Sequence, residues 1–170
     1  MSSKLTSVKG RGAVRRLQTE ISVRAPIDRV WSAITDAQQV KHWWAEGQIG
    51  AQVGDPIVME NGAALNGTIV VMLAPYIFEF TWHDAPAESS EPQWLEHRTK
   101  SLVRFDLVEL GDAETLATLT QYSPVIVAVG AAAGWDHLFQ RLAEYLHTGQ
   151  VKEEVGRFER LKQRYAEQES

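Results

Sequence analysis

Five histidines, His42, His83, His97, His137 and His147, are the first places to look for chemistry in this chain. No two of them have the spacing of a zinc motif, and there is no cysteine to complete one. Neither a metal site, a thiolate nucleophile nor a disulfide is expected. A Gly-x-Ser-x-Gly elbow is absent, no Ser-His-Asp set is recognisable, and no glycine-rich phosphate loop follows a strand. Three carboxylates, Glu60, Glu79 and Asp106, fall in strand-like runs. A carboxylate turned inward would be desolvated, its pKa would rise, and it could serve as an acid or base. Alternation turns Glu79 and Asp106 outward, which leaves Glu60, at a strand end, as the candidate. His42, directly before Trp43-Trp44, is the histidine best placed to reach a cavity mouth. His83 falls on the strand face opposite Trp82, and His137 is turned off the apolar stripe of its helix.

The more informative residues are the six tryptophans. Each indole buries roughly 150–250 Å² and carries one N–H that needs an acceptor. Trp43, Trp44, Trp82 and Trp135 come from segments far apart in sequence, so their rings must be brought together by the fold. The inward-facing set expected from periodicity is Trp43, Trp44, Met59, Phe80, Trp82, Phe105, Leu119, Trp135, Leu138 and Phe139. Two readings follow. These side chains line a pocket for an apolar or aromatic small molecule, or they fill the interior completely.

The elements that position them can be read along the chain. Residues 1–12 are polar, basic and glycine-containing, and read as a flexible start. From Val14 to Arg24, Leu17, Thr19, Ile21 and Val23 alternate with Arg16, Gln18, Glu20 and Arg24, the pattern of a half-buried strand. Pro26 stands at a helix start and Asp28 in its first turn; Ile27, Val30, Trp31 and Ile34 form the stripe. A second short helical turn covers Gln38 to Trp44. Turn signals at Gly47, Gly50, Gly54-Asp55-Pro56 and Asn61-Gly62 separate strands near Ile57–Glu60 and Thr68–Leu73. Phe78, Phe80 and Trp82 then alternate with Glu79, Thr81 and His83. Residues 84–100 read as a long polar loop that carries Trp94. Strands at Ser101–Leu110 and Thr115–Tyr122 follow.

A long helix is expected over Ile126–His147, its stripe made of Ala131, Trp135, Leu138, Phe139, Leu142, Tyr145 and Leu146, with Gly149 as its stop. Gly130 and Gly134 would each cost about 1 kcal/mol relative to alanine inside a helix. That points to close backbone approach or a bend, unless the helix begins near Gly134. In residues 150–170, Val155, Phe158, Leu161 and Tyr165 recur at helical spacing, and Glu153 stands four residues before Arg157. This extension is expected to pack on the domain or on a second copy, and Val155, Phe158 and Leu161 make it the expected homodimer surface.

The whole chain sets the outer bounds. One domain over residues 13–149 is expected in 170 residues, flanked by the flexible start and the helical extension. A net charge of −5 argues against nucleic acid or an anionic membrane as partner, and the basic residues Arg11, Arg15 and Arg16 read as a solvated end. No stretch approaches 18 uninterrupted apolar residues and no signal core is present, so a cytoplasmic location is the expectation. Strand, two short helices, an antiparallel run and a long helix make an α+β arrangement.

At this point the chain resembles a known family. Ala25-Pro26, Val30-Trp31, Thr35-Asp36, Trp43-Trp44, Val53-Gly54, Pro75 with Phe78-Glu79-Phe80-Thr81-Trp82, and Gly134-Trp135 with Leu138, Leu142, Tyr145 and Leu146 occur in the order seen in the helix-grip superfamily of START, birch-pollen-allergen and polyketide-cyclase proteins (SRPBCC). Within it they are most similar to the group named for the activator of heat-shock protein 90 ATPase. The resemblance implies a curved antiparallel sheet wrapped around the long helix, with a cavity between them. Members often carry Thr-x-His at the end of the penultimate strand; here the run is Thr120-Gln121-Tyr122. Gln121 removes a titratable group from the cavity wall but can orient a ligand through its amide. The leading expectation is therefore a small hydrophobic ligand bound without a cofactor. Two alternatives stand beside it: a cyclase or dehydratase that uses Glu60 or His42, and a chaperone-activating or dimer-forming interaction module.

Overall fold

The computed structural model describes residues 2–7, 15–60, 65–84, 101–123 and 129–168. Strands β1 (Ser2–Ser7) and β2 (Arg15–Val23) come first, then helices α1 (Ile27–Thr35) and α2 (Ala37–Val40). Six strands follow: β3 (Gly47–Ile49), β4 (Pro56–Met59), β5 (Leu65–Leu73), β6 (Ile77–Asp84), β7 (Ser101–Gly111) and β8 (Glu114–Ser123). Helices α3 (Val129–Thr148) and α4 (Arg157–Gln168) close the chain. The strands form one antiparallel sheet in the order β1-β2-β8-β7-β6-β5-β4-β3. This is the α+β helix-grip architecture expected from the sequence.

Alternation sets the inner face. On β2, Leu17, Thr19 and Val23 are buried; on β6, Phe78 and Phe80; on β7, Val103, Phe105 and Leu107; on β8, Ala117 and Leu119. The strands coil where the register slips, between Ile69 and Val71 on β5 and between Glu109 and Gly111 on β7. Gly67 permits one tight crossing, since a Cβ there would stand 1.8 Å from the Thr81 carbonyl oxygen. On α1, Ile27, Val30, Ala33 and Ile34 are buried, and Trp31 meets Phe78 edge-on at 6.3 Å. Asp36 caps α2 by accepting the Gln38 N–H at 2.8 Å. On α3, Ala132, Ala133, Trp135, Phe139, Leu142 and Leu146 face the sheet. Gly149 ends it at φ +76, its N–H donated to the Tyr145 carbonyl at 2.7 Å.

Several expectations are corrected. Residues 1–12 read as flexible from composition, but Ser2–Ser7 pair with β2 from Ser2↔Glu20 to Ser7↔Arg15. Main-chain pairing needs no apolar side chains, so composition gave no sign of it. Arg16 is half-buried rather than solvated, and its Nε has no partner among the described residues. Gly134 marks no close approach: a Cβ there meets nothing within 4 Å. The extension docks on its own domain, with Leu161 and Tyr165 buried while Val155 stays exposed. Glu153 precedes α4, so it reaches Arg141 at 3.5 Å rather than Arg157, which instead pairs with Glu154 at 2.8 Å.

A buried carboxylate links α3 to α4. Asp136 on α3 is fully buried; its Oδ2 accepts the Tyr165 hydroxyl at 2.9 Å and a guanidinium N–H of Arg164. Beside it, His137 meets Phe158 edge-on at 6.1 Å. Burial first, then the nearby Arg141 and Arg157, lowers the His137 pKa below its ordinary 6.5.

Candidate functional site

The tryptophans meet at one end of the sheet. β6 delivers Trp82, α3 delivers Trp135, and the segment after α2 delivers Trp44. Trp44 stacks with Trp82 at 5.9 Å between ring centres and meets Trp135 edge-on at 5.4 Å; Trp82 and Trp135 are also edge-on at 5.4 Å. These three indoles make a box. From this same end the chain leaves β6 into residues 85–100 and leaves β8 into residues 124–128. Trp94 and His97 lie in the first of these, outside the described residues.

The candidates from the sequence divide by accessibility. Trp43, Phe80, Leu119 and Phe139 have no accessible surface, and Met59 and Phe105 have 1%. Such side chains touch neither solvent nor a space that would admit water, so they pack the interior rather than line a pocket. Trp43 is anchored further: its Nε1–H donates to the Ala33 carbonyl at 2.8 Å, and its own carbonyl accepts Arg141 Nε at 2.8 Å. The rest keep accessible surface: Trp135 4%, Trp44 8%, and Trp82, Leu138 and Gln121 more. The expectation of a hollow running between sheet and helix is therefore not met at these side chains, and the sequence candidates that keep accessible surface cluster around Trp44, Trp82 and Trp135. Rings at helix and strand spacing mesh with one another wherever both sides supply them.

Gln121 is the polar member. It faces inward in a cross-strand row with Leu17 on β2, Val103 on β7 and, one strand further, Phe80 on β6. Its Oε1 accepts the Trp135 Nε1–H at 2.7 Å. Ser101 joins it. This serine is 7% exposed, shares the inner face of β7 with Val103 and Phe105, and stands directly opposite Trp82. The sequence reading missed it, although the alternation Ser101, Val103, Phe105 carries the signal.

The acid–base candidates are elsewhere. His42 is exposed and stacks on Tyr145 at 5.2 Å, and Tyr145 OH donates to Gln39 Oε1 at 2.5 Å. Tyr145 is ten residues beyond Trp135 on α3, about 15 Å along the helix axis. A histidine at a helix end can swing to either side, and here the aromatic partner decides. Glu60 is exposed beyond the end of β4, with its N–H bonded to the Glu46 carbonyl. Glu79 and Asp106 do face outward, where Arg104 joins them: Arg104 Nη2 is 2.8 Å from Asp106 and Nη1 is 3.4 Å from Glu79. The hydrogen bond to Asp106 and the charges of both carboxylates hold the Arg104 pKa above its ordinary value. Among the described residues, no group of three or more His, Asp or Glu is placed to hold a metal ion, and no helix is long and apolar enough to cross a membrane.

The fold has many solved counterparts. The crystal structure of CalU16 from Micromonospora echinospora is 20% identical, covers 99% of this chain and 96% of its own, and superposes with a TM-score of 0.73. DynU16, described as a protein in the dynemicin biosynthetic locus, is 23% identical over 80% of this chain and 48% of its own, with a TM-score of 0.67. The solution structure of the Aha1 dimer from Colwellia psychrerythraea is 17% identical over 79% of this chain and 97% of its own, with a TM-score of 0.63. A search of curated proteins found no match. The family model described as Activator of Hsp90 ATPase homolog 1-like protein matches residues 24–147, so the chain belongs to that family.

Proposed function

We propose that this protein binds a small apolar, flat molecule at the indole box, and that it works by binding rather than by acid–base catalysis. The observation that carries the reading is the meeting of Trp44, Trp82 and Trp135, whose ring centres lie within 5.9 Å of one another, with Trp44 and Trp135 buried and Trp82 half-buried, beside an inward-facing amide. Three indoles from distant segments offer a flat ligand aromatic faces and edges at low side-chain entropy cost. The family relationship supports a ligand-binding or biosynthesis-associated role, as does the fold likeness to a protein of the dynemicin biosynthetic locus. The cyclase alternative loses support because His42 and Glu60 are directed away from the box.

The test is a titration with acetylnaphthalene, followed by tryptophan emission. A ligand that covers the exposed part of the half-buried Trp82 indole removes roughly 50 Å² from water, worth about 1.2 kcal/mol or about eightfold in affinity. Saturable quenching that weakens by that order in Trp82→Ala supports the proposal. Emission that ignores the probe, or an unchanged affinity in Trp82→Ala, refutes it.

Self-association is the second reading. Leu73, Val108 and Leu110 are each more than half exposed, and the similar Colwellia protein is a dimer. Light scattering of the full chain over a concentration series decides it: a constant monomer mass removes this reading.

A further inference from the structure

The polar edge of the box has a fixed hydrogen-bonding sense. An indole N–H can only donate, so Gln121 must turn its oxygen to Trp135. Its Nε2 is thereby directed away from Trp135 with two N–H donors, and among the described residues no acceptor takes them. The three nearest side chains in its cross-strand row, Leu17, Val103 and Phe80, are all apolar and at most 1% exposed. Gln121 is half-buried, so these donors stand at the partly exposed margin of an otherwise apolar row and are free to meet a ligand oxygen. Ser101 lies diagonally across the β7–β8 pair from Gln121, at the about 7–8 Å separation usual for such neighbours. Its hydroxyl too has no hydrogen-bond partner among the described residues, and it stands opposite Trp82 on the same face. The two donors therefore lie beside two of the three indoles, Gln121 at Trp135 and Ser101 at Trp82.

Resting on the binding reading above, we propose that Gln121 and Ser101 make the box selective for planar aromatic molecules bearing a hydrogen-bond acceptor oxygen, such as an aryl ketone or a quinone carbonyl. The ring stacks on the exposed part of the Trp82 indole and its oxygen accepts from Gln121 Nε2, with Ser101 as a second donor. A hydrocarbon of the same shape fills the box but leaves both donors unpaired. A ligand that offers only donors meets the amide N–H groups head-on.

The test is a matched pair of probes, acetylnaphthalene and isopropenylnaphthalene, which differ by a carbonyl oxygen in place of a methylene. Affinities are measured by equilibrium dialysis on the full chain. The wild type is expected to prefer the ketone by about fivefold to tenfold, the range of one net hydrogen bond. Gln121→Leu is expected to abolish that preference, read as the ratio of the two affinities in the same variant, and Ser101→Ala to reduce it. Should Gln121→Leu fail to fold, Gln121→Glu retains an acceptor for Trp135 but, when ionised, has no donor; it must lose the preference as well. Equal binding of both probes, or a preference that persists in Gln121→Glu, overturns this inference and leaves the binding reading standing. If neither probe binds the wild type, both fall together.

Discussion

Deleting one hydroxyl, in Tyr165→Phe, probes how the C-terminal helix is fastened. Asp136 is fully buried, so its carboxylate depends on the partners it has. Oδ2 receives the Tyr165 hydroxyl at 2.9 Å and Arg164, whereas Oδ1 has, among the described residues, a single long contact of 3.5 Å from Gln140. Arg164 is 48% exposed, so its ion pair is largely screened and adds up to about 1 kcal/mol. The hydroxyl is held between α3 and α4 away from water, and a hydrogen bond to a charged acceptor contributes about 1.5–3 kcal/mol. Tyr165→Phe keeps the ring and loses that amount, a fall in Tm of about 3–12 °C for a domain of this size. Asp136→Ala removes the acceptor instead, and the double variant removes both members of the bond. The coupling from urea unfolding of wild type, both single variants and the double variant should therefore fall at about 1.5–3 kcal/mol with an unchanged m-value. A coupling under about 0.5 kcal/mol would refute the idea that this carboxylate fastens α4.

Three further outcomes follow from the same geometry. Gly134→Ala places a methyl in open space within α3, so it should raise stability by about 0.5–1 kcal/mol in urea unfolding; a loss would show that the glycine serves close packing. Trp43→Phe removes the donor to Ala33 and leaves a void, so it should cost about 2–4 kcal/mol by the same assay while the surviving folded protein keeps its affinity for acetylnaphthalene. His137 has a pKa lowered from 6.5 by burial, so the folded state takes up fewer protons than the unfolded chain as pH falls through 6.5. Its contribution is complete above that value and is lost below it. His137→Phe should thus show a smaller fall in urea midpoint between about pH 7.5 and 5.5 than the wild type, and identical slopes would contradict the assignment.

The architecture was legible where a period exposed it. Phe78, Phe80 and Trp82 alternate cleanly and become the inner face of β6; Ile27, Val30 and Ile34 recur as a helix stripe and become the buried side of α1. The convergence of Trp44, Trp82, Trp135 and Gln121 was also legible, since periodicity and the family resemblance place all four inward. What periodicity does not contain is depth. Trp43 and Trp44 are neighbours of one type, yet Ala33 and Arg141 engage the first while the second opens onto the box. His42 went astray because its ring is placed by Tyr145, which is remote in sequence. The docking of α4 was hidden for a similar reason: Asp136 reads as a solvated helix residue until Arg164 and Tyr165 fold back on it. Pairing of β1 rests on main-chain hydrogen bonds, which leave little mark on side-chain composition.

The most direct measurement is a two-dimensional amide spectrum of uniformly labelled protein, read at the indole N–H resonances during titration with acetylnaphthalene. Ring-current and hydrogen-bond changes report on each tryptophan separately. Binding at the three indoles shifts the signals of Trp44, Trp82 and Trp135 together along one saturable curve while those of Trp31 and Trp43 stay in place. Stationary signals from the first three, or equal shifts at Trp43, would contradict it.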